Sequence, residues 1–322
     1  MKVGLVGTGY AAKVRAEAFQ ADPRSHLTAV VGHTPDKTAE FAQLYGADAV
    51  TTCDALMQRA DIDLVVIATI NRDHGAIAHA ALTAGKHVVV EYPLALDVAE
   101  AQDLIALAKT QQKLLHVEHI ELLSSIHQAI RSALPQIGTP FYVRYSDLTP
   151  KRPAPDKWTY NLDLFGFPLV GALSRLSRLI DLFGAVKTVS CQASYWPKPV
   201  AVNAYDTCLC MAQLRFVSGL VADVTYGKGE ALWQSERALT IHGDQGAIAL
   251  SGETGTLIQP DQTTPLDLGS RRGLFAQDTT LVLNYLLENK ALYTTPEVSL
   301  YALTVADAAR QSAETGSVIT LA

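Results

Sequence analysis

The sequence predicts a two-domain α/β protein, in which a parallel sheet covered on both faces by helices is followed by an α+β domain with a mostly antiparallel open sheet. Three observations carry this. Apolar strands and helical runs alternate regularly through residue 118, the pattern of a parallel sheet with right-handed crossovers. After a helical stretch at 120–134 the pattern changes to alternating strands at 141–145, 189–195, 207–216, 220–226 and 238–242, as in a sheet with one covered side. The 322 residues also exceed what one core usually supports, so the expected domains are 1–122 and 123–322.

Composition bounds the function. Hydrophobic residues make up 48% and charged residues 18%, which describes a folded chain. The net charge of −6 gives no basic footprint, so neither nucleic acid nor an anionic membrane is an expected partner. No apolar run reaches the length of a membrane helix, and residues 1–7 begin a strand without a signal-peptide layout, so a cytoplasmic location is expected. The four cysteines, Cys53, Cys191, Cys208 and Cys210, lack CxxC spacing and read as buried thiols.

The first strand, 3–6, runs into Gly7, Thr8, Gly9, Tyr10, Ala11 and Ala12, a G-x-G-x-x-A turn that opens a helical run to about residue 21. Strand, glycines and helix in that order are the fingerprint of a Rossmann dinucleotide-binding domain. The helix N-terminus supplies free N–H donors to a pyrophosphate. The second strand, 27–32, ends without the acid that would hold a ribose 2′-hydroxyl. His33, Thr34 and Lys37 instead offer donors to a 2′-phosphate, which favours NADPH. Thr34 also stands where the helix begun by Pro35 needs a cap, and Asp36 is within reach of a ribose.

The third long strand, 63–69, is nearly continuously apolar, and its end at Ala68 and Thr69 should pass under the cofactor, with His74 nearby. Asp73 is the expected N-cap of a helix at 75–84. The next strand, 86–90, stops at Glu91, Tyr92 and Pro93, so a carboxyl group and a phenol stand where ligands of an open α/β sheet bind. A helix at 97–111 and a strand at 113–118 complete the half. His116, Glu118, His119 and Glu121 straddle a strand–helix junction and lack the spacing of a metal site, so no metal is expected.

In the second half, Arg175 and Arg178 share one face of an amphipathic helix at 169–182, and Arg271 and Arg272 form another cationic pair. Arginine suits carboxylate recognition because its planar fork can bond both oxygens. Trp158, Tyr160, Phe165 and Phe167 fit an aromatic lid or an ordinary core equally well. Helical runs at 275–288 and 297–315 follow, and whether the last packs back on the first domain is left open by the sequence.

Together Gly7-Thr8-Gly9, Asp73-His74, Ala80-Ala81-Leu82, Ala84-Gly85-Lys86-His87-Val88 and the acid-x-Pro at 91–93 resemble the Gfo/Idh/MocA oxidoreductases, across essentially the whole chain. In the sugar-oxidising members the motif is Glu-Lys-Pro with a catalytic lysine; here Tyr92 takes its place. Ser174 and Arg178 stand where those members often carry an aspartate and a catalytic histidine, and only Asp181 remains. A phenol with pKa near ~10 and a guanidinium above ~12 are poor bases, so sugar dehydrogenation is not expected. These departures resemble the biliverdin reductase branch, the cyanobacterial form above all. It is matched by Glu91-Tyr92-Pro93-Leu94-Ala95-Leu96, the 114–123 run, Gly166-Phe167-Pro168-Leu169-Val170, Ser174-Arg175-Leu176-Ser177-Arg178 and the 269–275 run.

The resemblance implies NADPH-dependent reduction of the central methine bridge of biliverdin to bilirubin. Such a substrate needs cations and a route for one proton, for which Arg175, Glu91 and Tyr92 are the candidates at the reacting centre and Arg175, Arg178, Glu118, His119, Arg271 and Arg272 the candidates lining the substrate, with solvation the alternative for Arg271 and Arg272 and simple packing for Tyr92. A related oxidoreductase acting on another conjugated or carbonyl substrate, or a cofactor-binding sensor without turnover, are the alternatives.

Overall fold

The computed structural model describes residues 1–198, 202–270 and 272–321, and the chain divides into two compact units. Unit 1 comprises Met1–Leu123 and Gly273–Tyr301; unit 2 comprises Ser124–Arg272 and Ala302–Ala322. By compactness, residues 273–301 group with the first unit, whereas the sequence placed the whole of 123–322 in the second.

Unit 1 runs β1 (Lys2–Val6), α1 (Tyr10–Ala21), β2 (His26–Val31), α2 (Pro35–Tyr45), β3 (Asp48–Ala49), α3 (Cys53–Met57), β4 (Leu64–Ile67), α4 (His74–Thr83), β5 (His87–Val90), α5 (Val98–Thr110) and β6 (Leu115–Val117). Among the described residues its sheet has the order β3-β2-β1-β4-β5-β6, with every pairing parallel. That order reverses at β1, which puts the strand ends of β1 and β4 at a switch point where ligands bind in such sheets. All four residues of β4 are completely buried, as a strand covered on both faces requires.

The segment that returns to unit 1 carries α10 (Leu274–Glu288), which packs on α1. Val282 and Leu283 join Val3, Leu5, Ala12, Ala16 and Phe19 in one apolar cluster, which is the physical reason the domain assignment crosses the chain.

Unit 2 contains α6 (Ser125–Ala133), β7 (Pro140–Pro150), α7 (Leu162–Phe165), α8 (Pro168–Gly171), α9 (Ser174–Phe183), β8 (Val186–Pro197), β9 (Tyr205–Phe216) and β10 (Val221–Gly229). There follow β11 (Glu236–Gly243), β12 (Gly246–Ser251), β13 (Thr254–Gln259), β14 (Gln262–Pro265) and, near the end of the chain, β15 (Ile319–Thr320). Among the described residues the sheet order is β14-β13-β12-β11-β7-β10-β9-β8-β15, antiparallel except where β10 lies parallel to β7.

Two expected helices are interrupted. The stretch 120–134 begins as a 3₁₀ turn at Ile120–Leu122, and α6 starts only after Ser124, whose hydroxyl accepts the His127 N–H at 3.3 Å. The stretch 169–182 is split into α8 and α9 at Ala172 and Leu173. The last helix, α11 (Pro296–Thr315), is divided between the units at Tyr301. Its later part buries Leu303, Val305, Ala306 and Ala309. No helix among the described residues is long and apolar enough to cross a membrane.

Candidate active site

The glycine turn has the form that the nucleotide fingerprint requires. Gly7 has φ +122° and donates its N–H to Val31 O at 2.8 Å, while Ala68 N–H donates to Val6 O at 2.9 Å. A Cβ on Gly7 would collide with the Ala68 carbonyl, so only glycine lets β1 turn here against the end of β4. Gly9 is different: nothing lies within 4 Å of the Cβ it lacks. Packing inside the protein does not explain that glycine, and space for a ligand does. Gly9 is the N-cap of α1 with no side-chain cap, no acid occupies the first turn, and Tyr10 is 79% exposed. Gly7, Thr8, Gly9, Tyr10 and Ala11 thus form a cradle whose backbone donors meet no competing side chain, which fits a pyrophosphate.

At the end of β2, His33, Thr34 and Lys37 are exposed together. Thr34 occupies the N-cap of α2, but its side chain makes no capping bond, and Thr38 N–H takes the Thr34 carbonyl at 2.9 Å. The hydroxyl does not serve the helix.

His74 departs from its expected place against the cofactor. It is buried, with Nδ1 2.8 Å from Pro93 O and Nε2 3.4 Å from Thr69 O. Burial lowers its pKa, so the ring is neutral and holds one proton, which the shorter contact to Pro93 claims. The side chain staples the loops after β4 and β5, and so positions Thr69 without facing it outward. Asp73 stands at the N-cap of α4 as expected, but its side chain pairs with Arg72 and makes no capping bond.

Glu91 is anchored by a residue the sequence reading did not single out. Arg15, on α1 and fully buried, donates from Nε to Glu91 Oε1 at 2.8 Å and from another guanidinium nitrogen to Asp278 of α10. Asp278 also lies 2.8 Å from His116 Nε2 and accepts the Tyr293 hydroxyl at 2.8 Å. Parallel pairing of Val90 with Val117 sets Glu91 and Glu118 side by side at the strand ends, where Glu118 N–H donates to Val90 O at 2.9 Å. One guanidinium therefore faces three carboxyl groups. Burial, then Glu91, drives Glu118 well above the usual carboxylate range, with Arg15 opposing. Burial works against ionisation of Asp278 too, yet Arg15 and His116 hold it below its ordinary value. The excess negative charge is relieved at Glu118, which is 2% exposed and belongs to this cluster; it does not line an open surface as the sequence suggested.

His119, expected at the substrate, is 1% exposed and stacks on Tyr92 with centroids 5.7 Å apart and planes 4° from parallel. Among the described residues neither ring nitrogen has a hydrogen-bond partner, and burial brings its pKa down to about 3. Each unsatisfied buried nitrogen costs about 1–3 kcal/mol. His119→Phe keeps the stack and removes both nitrogens, so it should raise stability by about 1 kcal/mol, read as a melting temperature a few degrees higher. A lower melting temperature, or a raised KM in the variant, would mean the nitrogens have work in the loaded protein.

In unit 2, Arg175 forms an ion pair with Asp147 of β7, donates to Ser174 Oγ at 3.0 Å, and lies 5.2 Å from the centroid of the Tyr226 ring. Arg178 donates to the Tyr145 hydroxyl at 3.0 Å and is 6% exposed. Asp181 is held below its ordinary pKa by His127, 2.7 Å away, and by Arg131, and is not a free base. Arg271 lies outside the described residues. Arg272 is exposed, and its backbone N–H donates to Ser270 Oγ at 3.1 Å. Asp147 was missed because its strand was expected to end at residue 145. Among the described residues, no group of three His, Cys, Asp or Glu side chains is arranged to hold a metal ion.

Residues 1–119 match the oxidoreductase family with NAD-binding Rossmann fold, Gfo/Idh/MocA, and residues 132–321 match the C-terminal alpha/beta domain of the same family. The chain is similar to the biliverdin reductase of Synechocystis sp. PCC 6803, solved in complex with biliverdin and NADP+. The identity is 53%, the TM-score 0.95, and the match covers 97% of this chain and 99% of that one. It is also 31% identical to biliverdin reductase A of Mus musculus over 58% of this chain, and 31% identical to that of Homo sapiens over the same share. The chain spans 60% of the length of each of these two curated relatives. With both halves matched in order, the chain belongs to the Gfo/Idh/MocA oxidoreductase family.

Proposed function

We propose that this protein is an NADPH-dependent biliverdin reductase, which reduces the central methine bridge of biliverdin to give bilirubin. The observation that carries the reading is the likeness, over almost all of both chains, to a biliverdin reductase crystallised with biliverdin and NADP+. The side chains agree with it. Tyr92 stacked on His119, and Arg178 bonded to Tyr145, replace the lysine and histidine that a sugar oxidation would need.

When bound, the nicotinamide supplies a hydride to the bridging carbon, and a proton must reach a pyrrole nitrogen. Residues 7–11 hold the pyrophosphate on free N–H donors, and His33 and Thr34 bind the 2′-phosphate. Glu91, fixed by Arg15, hydrogen-bonds the cofactor or a lactam N–H of the bilin. Arg175 stabilises the negative charge that develops on the tetrapyrrole as the hydride arrives, and Arg178 and Arg272 take the propionates.

The test is purified protein with biliverdin and either NADPH or NADH, followed by the bilin's visible spectrum. Turnover should favour NADPH in kcat/KM by about tenfold or more, the value of one charge-assisted contact to the 2′-phosphate. Equal rates would remove His33 and Thr34 from the cofactor site. NADPH binding without turnover would favour a sensor.

A further inference from the structure

Unit 2 buries a lysine that the mechanism above leaves unused. Lys228 on β10 is 8% exposed and follows Ala222, Val224 and Tyr226 on the buried face of its strand. Among the described residues, four aromatic rings surround its ammonium: Phe165 at 3.9 Å, Tyr160 at 4.8 Å, Tyr205 at 5.8 Å and Tyr226 at 5.9 Å to the centroid. It donates to the carbonyl of Thr159, in the 3₁₀ turn Trp158–Tyr160, which also accepts the Tyr205 hydroxyl at 3.0 Å. Among the described residues no carboxylate is one of the groups that act on it; those are the Cys208 thiol, paired with it across β9 and β10, and the Arg175 guanidinium.

A methionine would fill the same box without taking a charge out of water. The ammonium is held there by π faces and one carbonyl, an arrangement that fixes the rings around it. One of those rings is Tyr226, on which the Arg175 guanidinium also rests, and Asp147, the ion-pair partner of Arg175, is the register partner of Tyr226 across β7 and β10. We propose that Lys228 is a positioning residue: from its aromatic box it fixes Tyr226 and pins the 158–160 turn, and so holds Arg175 in the geometry that reduction requires. The inference rests on the role given to Arg175 above.

Lys228 titrates among Cys208 and Tyr205 of β9, Tyr226 of its own strand, Tyr160 of the 158–160 turn, and Arg175 of α9 with its partner Asp147 of β7. Burial brings the ammonium down to about 8, with Cys208 pulling it up and Arg175 down. Burial raises Cys208, Tyr160 and Tyr205. A lysine whose folded pKa lies below its unfolded ~10.4 sheds its proton first in the native state, so its contribution to stability rises from about pH 8 to 10. Positioning by the charge makes turnover fall over the same window. A merely structural lysine would not send the two in opposite directions.

The experiment measures kcat, KM and melting temperature from pH 6.5 to 9.5 for the wild type, Lys228→Met and Arg175→Ala. The wild type should lose kcat with an apparent pKa near 8. Lys228→Met should lose roughly tenfold to a hundredfold in kcat at neutral pH, with a flat profile, an unchanged KM for NADPH and no lower melting temperature. Wild-type kcat in Lys228→Met, or a pH-independent wild-type kcat, overturns the positioning role. A slow Arg175→Ala beside a normal Lys228→Met overturns positioning alone, and a normal Arg175→Ala overturns the reading it rests on. Should the wild type not reduce biliverdin, Trp158 emission in a Trp196→Phe, Trp233→Phe background decides. A transition near pH 8 that Lys228→Met abolishes supports the pinned turn, and its absence overturns it.

Discussion

Replacing Arg175 with alanine is expected to lower biliverdin turnover by roughly 10²–10³-fold, the usual loss when one donor to developing charge is removed, while NADPH affinity stays unchanged. The guanidinium is partly exposed, and Asp147 and Ser174 set its orientation beside the Tyr226 ring. Arg175→Lys separates the roles. It keeps a charge but loses the planar fork, so it should recover part of kcat and little of any KM effect. The substitution also leaves Asp147 buried without its partner, so Asp147→Asn is the control: combined with Arg175→Ala it should restore stability and leave turnover low. A wild-type rate in Arg175→Ala, measured with saturating NADPH, would remove Arg175 from the chemistry.

The alternation of strands and helices, the glycine turn and the carboxyl group at the end of β5 were all legible, because each is a local pattern with a local cause. The partners were not, because they come from far along the chain. Arg15 was not singled out, yet it lies in register with Ala12, Ala16 and Phe19, the buried stripe of α1. Asp278 likewise sits among Leu274, Val282 and Leu283 on the buried side of α10, and Lys228 extends the inward series Ala222, Val224 and Tyr226. One signal would have found all three: a charge standing where the apolar period demands a core residue, which must meet an opposite charge or a π face. The pairing itself, Arg15 with an acid on α10, depends on tertiary packing that periodicity cannot see. His74 and Glu118 were misplaced for the reverse reason. Position at a strand end suggests a ligand, but burial and local carbonyl or charge partners claim both side chains.

The same buried cluster gives the largest expected change in stability. Arg15→Met removes the cation shared by Glu91 and Asp278 and leaves their carboxylates in a low dielectric, which should cost about 3–5 kcal/mol, a melting temperature lower by roughly 10 °C. The pH dependence identifies the cause. Asp278 has its folded pKa depressed, so its contribution is present above its unfolded ~3.9 and is lost as pH falls. Glu118 has its folded pKa raised, so its contribution is present below ~4.3 and is lost as pH rises through the folded value. Without Arg15 both carboxyl groups resist ionisation more strongly, so the deficit should be largest at neutral pH and shrink toward pH ~4. A deficit that stays constant across this range would instead point to lost packing of the guanidinium on Phe275, 4.9 Å away. Adding Asp278→Asn to Arg15→Met should recover much of the loss, since the amide keeps a hydrogen-bonding group opposite Tyr293 and removes one of the stranded charges. What it cannot recover is the anchor on Glu91. Turnover should therefore remain depressed in the restabilised double variant, separating the part of Arg15 that holds unit 1 together from the part that aims the carboxylate.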